Sequence, residues 1–359
     1  MPSAAPALPT KQTAIVATGP GALAISNDQP VPKLGPKMVI VRTVAVALNP
    51  ADAKMVDYSP TPGAINGYDF AGEIVAIGAE VTRPDLLVGD RVCGMVHGMN
   101  ALNPKAGAFA QYIGAEPEFL LNIPDGMSYE AAASLGTGVA TAGMALFHYL
   151  GILDNPAKPA AKPFFVIVYG ASTATGTMAI QLLKLANLRP VAICSPHNFD
   201  LVKSYGAEVT FDYNSPTCAE DVRAYTVNTF FYALDCITEA STMAICYGAI
   251  GRAGGKYCGL EPYPERQNTR KAVKPDWVMG LSIFGKKVAL DGAFGREERP
   301  QDREWGVAWF QTLQGLLDGG RLQTHPLQVG VGGFDGVMQG IELLRKKAVS
   351  GQKLVYSVQ

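Results

Sequence analysis

The sequence predicts a two-part α/β protein: a doubly wound parallel sheet with covering helices, and a smaller all-β unit of a barrel-like kind. Three observations point there. Residues 164–169 (FFVIVY) are apolar or aromatic throughout, as a strand covered on both faces requires, and a glycine then hands the chain to a helical pattern, MAIQLLKLA. Strand-like and helix-like segments go on alternating to residue 262. Residues 12–125 instead hold short strands separated by glycine turns.

At 359 residues the chain has room for about two domains, and 48% apolar with 17% charged residues describes a compact globular protein. A net charge of −1 leaves no basic field for nucleic acid or a membrane surface, and no apolar run reaches the ~18–20 residues of a membrane span. The Pro- and Ala-rich first ten residues lack the basic and long apolar regions of a signal peptide and read as a disordered tail. Six cysteines without a CxxC pair suit free thiols in a reducing compartment, so a cytoplasmic location is expected.

In chain order, residues 13–18 and 38–46 (MVIVRTVAV) read as strands. Pro50 then forbids further strand and presets a helix start with Asn49 as its N-cap, which puts Asp52 and Lys54 in the first turns. Strands follow in 67–81, 87–95, 107–113 and 120–126, and Ser128 opens a helix broken near 136–138. A Pro/Ala/Lys linker, 154–163, precedes the buried strand 164–169; further strands are expected at 191–195, 209–213, 232–237 and 256–262. Segment 263–303 is charged, rich in Gly and Pro, and reads as irregular. An amphipathic helix (WGVAWFQTLQGLLDGG), the strand HPLQV, the helix VMQGIELLRK and a last strand, KLVYSV, complete the chain.

The turn after the first buried strand carries the first chemistry. Gly170, Ser172, Thr173, Ala174, Thr175 and Gly176 join strand to helix, where unpaired N–H groups and the positive helix end suit a phosphate. The glycine pattern is loose, and the same residues suit an ordinary βα turn with hydroxyl caps.

Longer motifs are more specific. NPADAKM, GYDFAG, VGDRV and GAFAQY, then GASTATGTMAIQLLK, GAEVTFDY and SGQKLV, resemble the medium-chain dehydrogenase/reductase superfamily along nearly the whole chain. VYGASTATGT, CSPHNFDL, YALDCIT and AIGRAGGKY resemble in particular the free-standing, trans-acting enoyl reductases of fungal polyketide pathways, such as that of the lovastatin pathway. The resemblance implies a GroES-like catalytic and substrate domain over 1–150 and 278–359, and a Rossmann NADPH-binding domain over 151–277. It implies NADPH-dependent reduction of an α,β-unsaturated polyketide thioester on the acyl carrier domain of a partner polyketide synthase, hybrids with a peptide synthetase included. A stand-alone NADPH:quinone or enone oxidoreductase, and a member that binds NADPH without turnover, are the competing readings.

Zinc alcohol dehydrogenases of the superfamily place Cys, His and Glu where this chain has Asn49, Tyr68 and Asp69, and segment 94–107 lacks the four structural-zinc cysteines. Asn and Tyr are poor zinc ligands, so a metal-free hydride transfer is expected. Asp69 reads as a buried turn-former. NADPH is expected because the second strand of the cofactor unit ends Cys194-Ser195-Pro196-His197-Asn198, without the acid that grips a ribose 2′-OH. Ser195, His197 and Asn198 are donors for a 2′-phosphate; Lys203 reaches the same phosphate or is solvated surface.

By resemblance, Tyr213 covers the adenine, and Ala51, Asp52, Ala53, Lys54, Leu260, Glu261, Ser350 and Gly351 surround the cofactor or the reacting end. Lys54 and Thr141 are the expected catalytic residues, with Lys54 the only cation near the reacting centre. Lys54 stabilises the enolate oxygen that develops as hydride reaches the β-carbon, or else binds cofactor ribose or phosphate. Pro50 stands where polyketide reductase domains can carry a Tyr donor, which leaves the α-carbon proton to Lys54 or to water. The resemblance assigns substrate walls to Ala142, Gly143, Met144, Ala145, Leu146, Phe147, His148 and Tyr149, and to Gly280, Leu281, Ser282, Ile283 and Phe284; both stretches also read as core. His97 and His148 read as packed or surface residues. Segment 262–300 is expected to cover the free edge of the cofactor sheet, which favours a monomer.

Overall fold

The computed structural model describes residues 8–359. The first seven positions of the expected tail lie outside the described residues. The chain divides into two compact units, Met1–Thr137 with Phe284–Gln359, and Gly138–Ile283.

In the first unit, β1 (Lys11–Gly19) and β2 (Ala22–Pro30) form an antiparallel ribbon. β3 (Val39–Ala47) follows, then α1 (Pro50–Tyr58), β4 (Asp69–Ile77), β5 (Arg91–Met95), β6 (Tyr112–Ala115), β7 (Leu120–Asn122) and the short helix α2 (Tyr129–Ala133). Helix α1 starts where Pro50 predicts, its missing N–H falling at a position that has no intrahelical acceptor. The expected helix break lies at Ser134 and Leu135; α3 (Gly136–Gly143) then runs into a π-helical stretch, Met144–Tyr149.

The second unit is built on β8 (Phe165–Tyr169), α4 (Ala174–Leu185), β9 (Arg189–Cys194), α5 (Phe199–Ser204), β10 (Val209–Asp212), α6 (Cys218–Tyr225), β11 (Tyr232–Asp235), α7 (Ala240–Ala249), β12 (Gly255–Gly259) and β13 (Val273–Trp277). Its six strands lie in the order β10-β9-β8-β11-β12-β13, and every pairing is parallel. This is the doubly wound order in which ligands bind outside the carboxyl ends of the strands, at the point where strand order reverses. Here that point is between β8 and β11. Val166, Ile167 and Val168 are wholly buried, as the apolar run requires.

β13 corrects the expectation that 263–303 is irregular. Lys274 and Asp276 are exposed and Pro275 stands between them, so the strand has neither an apolar run nor a clean alternation. Such residues belong on a sheet edge, where a proline costs no ladder bond. The segment therefore forms the edge of the six-stranded parallel sheet rather than covering it.

The chain returns to the first unit through α8 (Pro300–Asp318), β14 (Leu327–Gly330), α9 (Gly333–Arg345) and β15 (Lys353–Ser357). The large sheet there runs β14-β15-β3-β4-β5-β7, with β6 also on β3. β15 lies antiparallel to β3, with Val355 opposite Ala47. The core gathers Ile15, Val41, Phe70, Phe109, Ile341 and Leu354; each such side chain contributes about 1.5–3 kcal/mol on burial. Among the described residues no helix is long and apolar enough to cross a membrane.

Candidate active site

In the second unit, strand register lines up the candidate residues. Tyr169 is level with Ile193 and Asp235, Cys194 with Asp212, and Asp235 with Gly259. The segments leaving these strands, with Ser172 to Thr175, Ser195 to Asn198, Tyr213, and Leu260 with Glu261, emerge along one edge of the sheet.

The turn after β8 is tightly wound. Gly170 has φ +69°, where a side chain is strained, and a Cβ on Gly176 would lie 2.5 Å from the Gly170 carbonyl oxygen. Thr173 caps α4: its Oγ1 accepts from Gly176 N–H at 3.0 Å and donates to the Gly170 carbonyl at 2.8 Å. Ser172, Thr173, Ala174 and Thr175 are half-buried at a helix N-terminus that begins at the strand-order reversal. This cradle fits a dinucleotide pyrophosphate.

At the end of β9, Ser195 Oγ donates to Tyr213 OH at 3.1 Å, joining the loops that follow β9 and β10. Pro196 and His197 are exposed, while Asn198 is buried with its Nδ2 3.3 Å from His197 Nε2. Lys203 is exposed. Leu260 N–H donates to Thr238 Oγ1 at 2.8 Å, which ties the loop after β12 to the loop after β11.

Asp235, which the sequence reading passed over, closes β11 at the reversal. It is fully buried and accepts from Ile237 N–H (2.9 Å), Thr238 N–H (3.0 Å), Thr242 Oγ1 (2.6 Å) and Tyr257 OH (2.9 Å). Burial raises its carboxyl above the ordinary range, and these donors oppose the rise. An acid ending the apolar run YALD was the available signal.

Thr141 is half-buried beside Gly280, where a Cβ would come within 3.0 Å of the threonine hydroxyl. Tyr149 OH and Ser282 Oγ are 3.4 Å apart, so the two expected wall segments do meet. Most of their side chains are interior: Ala142, Met144, Ala145, Leu146 and Ile283 have no exposed surface. His148, Tyr149 and Gly280 are half-buried. Phe284 lies in the first unit, edge-on to Phe119 at 5.0 Å.

In the first unit the residues around α1 form one buried network. The Asp52 side chain accepts from Asn49 N–H at 2.5 Å through Oδ2 and so caps the helix. Asn49 Nδ2 donates to Asp69 Oδ2 at 2.9 Å, and Asp69 Oδ1 accepts from both the N–H and the hydroxyl of Thr137 at 2.6 Å. Lys353 donates to Asn49 Oδ1 at 2.5 Å and to Asp69 Oδ2 at 3.1 Å. Lys54 is therefore not the only cation by this motif: Lys353 is buried within it, and Lys54 itself is exposed. Of the other expected contacts here, Ala51 and Gly351 are half-buried, Ser350 is exposed, and Ala53 is buried. His97 is half-buried, and burial lowers its pKa to about 4.

This donor set does not fit zinc. It offers an amide, a carboxylate already paired with an ammonium, and the Tyr68 phenol, whose pKa burial raises. Among the described residues no group of three or more His, Cys, Asp or Glu is placed to hold a metal ion.

A unit with the GroES-like arrangement and a doubly wound cofactor unit together define a nicotinamide-dependent oxidoreductase. Family profiles agree: one for the alcohol dehydrogenase GroES-like domain matches residues 35–125, and one for zinc-binding dehydrogenases matches 174–289. The trans-enoyl reductase caaB of Aspergillus niger is 55% identical with full coverage of both chains, and the trans-enoyl reductase traG of Penicillium crustosum is 51% identical, again over both whole chains. Among solved structures, the CurK enoyl reductase superposes with a TM-score of 0.71 at 18% identity, covering 96% of this chain and 99% of that one. This chain belongs to the trans-enoyl reductase family.

Proposed function

We propose that this chain moves hydride from NADPH to the β-carbon of an α,β-unsaturated polyketide thioester presented on the acyl carrier domain of a partner polyketide synthase. The observation that carries the cofactor choice is the acid-free end of β9, where Ser195 bonds Tyr213 and His197 is exposed. A 2′-phosphate meets donors there, and the end of β9 itself carries no acid to grip a ribose 2′-OH. When bound, the reduced nicotinamide supplies the hydride. Thr173 and the N-terminus of α4 hold the pyrophosphate, Ser195 and His197 the 2′-phosphate, and Tyr213 covers the adenine. Lys54 stabilises the thioester oxygen as it gains enolate charge, and the Thr141 hydroxyl orients the reacting end.

The test is NADPH consumption with a short enoyl-pantetheine, run beside NADH and beside a free quinone. Consumption with NADPH and the thioester is expected. Turnover of the quinone alone would replace the proposal with a stand-alone quinone reductase, and no turnover of either would leave a binding protein.

A further inference from the structure

Lys353 is the first residue of β15, and its ammonium is bonded to two of the three residues that stand at the zinc-ligand positions. The pair it makes with Asp69 is shut away from water, with side-chain exposures of 5% and 0%. Removing two charges from water offsets most of their attraction, so such a pair is a poor source of stability and a strong constraint on geometry. The residues around this pair belong to elements that matter. Asn49 holds the N-cap of α1 through Asp52, Thr137 stands in the first turn of α3, and Gly351 lies two residues before the lysine itself.

We propose that Lys353 is a positioning residue for the reaction: by fixing Asn49 and Asp69 it sets the first turn of α1, and with it Lys54. The proposal rests on the role given above to Lys54. The ammonium bonds two residues at zinc-ligand positions, and what it organises is the neighbouring helix rather than the substrate.

The test uses the full chain with Lys353→Met combined with Asp69→Asn, which leaves no unpaired buried charge. This variant is expected to melt within about 5 °C of the parent, while turnover of enoyl-pantetheine at saturating NADPH falls about 10–100-fold. Adding Lys54→Ala should then cost no more than Lys54→Ala alone, because both changes act through one group. Deuterium exchange over residues 50–58 should quicken in the Lys353 variant and stay unchanged in Lys54→Ala. Full turnover, losses that multiply, or unchanged exchange would each overturn the proposal. If the double variant does not fold, Lys353→Arg, which keeps the charge and displaces the donors, is read by the same measurements. A parent protein inactive on enoyl-pantetheine would defeat the proposed function, and exchange over 50–58 would still decide whether Lys353 sets α1.

Discussion

Asp52 is fully buried, accepts one short bond from Asn49 N–H, and leaves Oδ1 without a partner among the described residues. Burial pushes its carboxyl up to about 8; the Asn49 bond pulls it back, and Asp69 and Lys353 act in opposite senses. Because the folded value lies above the unfolded one, the stability it brings is complete below about pH 4 and is lost as pH rises through 8. The parent should therefore weaken relative to Asp52→Asn between pH 5 and pH 8, measured as urea midpoints. A constant difference across that range would show that Asp52 ionises normally. On the proposed role for Lys54, Lys54→Ala should lower turnover by about 10²–10³ with NADPH affinity near normal. Should turnover recover at saturating cofactor and affinity fall instead, Lys54 binds cofactor. Thr141→Val should have a smaller effect, read as single-turnover rate. Lys54 could be found from its motif, whereas Lys353 could not. A lysine opening a C-terminal strand looks like solvated surface, and only the pairing of β15 with β3 brings it to a residue some three hundred positions earlier.

Elements whose residues meet one environment were the legible ones. β8 is buried on both faces and reads as an unbroken apolar run; α4 has its cap and glycine turn in order. β2 and β13 each show a mixed face, so their alternation is blurred by exposed polar residues. The end of β9 carries a prediction of its own. Ser195→Asp places a carboxylate where the 2′-phosphate is proposed to sit, and should shift kcat/KM from NADPH towards NADH by about 10-fold or more through like-charge repulsion. An unchanged ratio would move the phosphate elsewhere.

For the molecule as a whole, the two units were legible in outline, because a glycine-punctuated β region and an alternating α/β region differ in period. That HPLQV and KLVYSV rejoin the first sheet has no local signature; the family resemblance supplied it. The edge strand β13 offers exposed Lys274 and Asp276 and lacks an N–H at Pro275, features that discourage pairing with a second copy. A monomer mass by light scattering at micromolar concentration is expected, and a dimer mass would contradict it. Activity should also persist in chelator, with metal analysis finding well under one zinc per chain, since Lys353 already neutralises Asp69.

The place of β15 between β14 and β3 also bears on how the protein is made. Strand β3 leaves the ribosome some three hundred residues ahead of β15, its neighbour in the sheet. The unit spanning Gly138–Ile283 has all its strands long before that moment and can close on its own. The first unit must wait, with Asn49 and Asp69 lacking their ammonium partner, until Lys353 arrives. A nascent chain stalled before residue 353 would hold a finished second unit and an open first one.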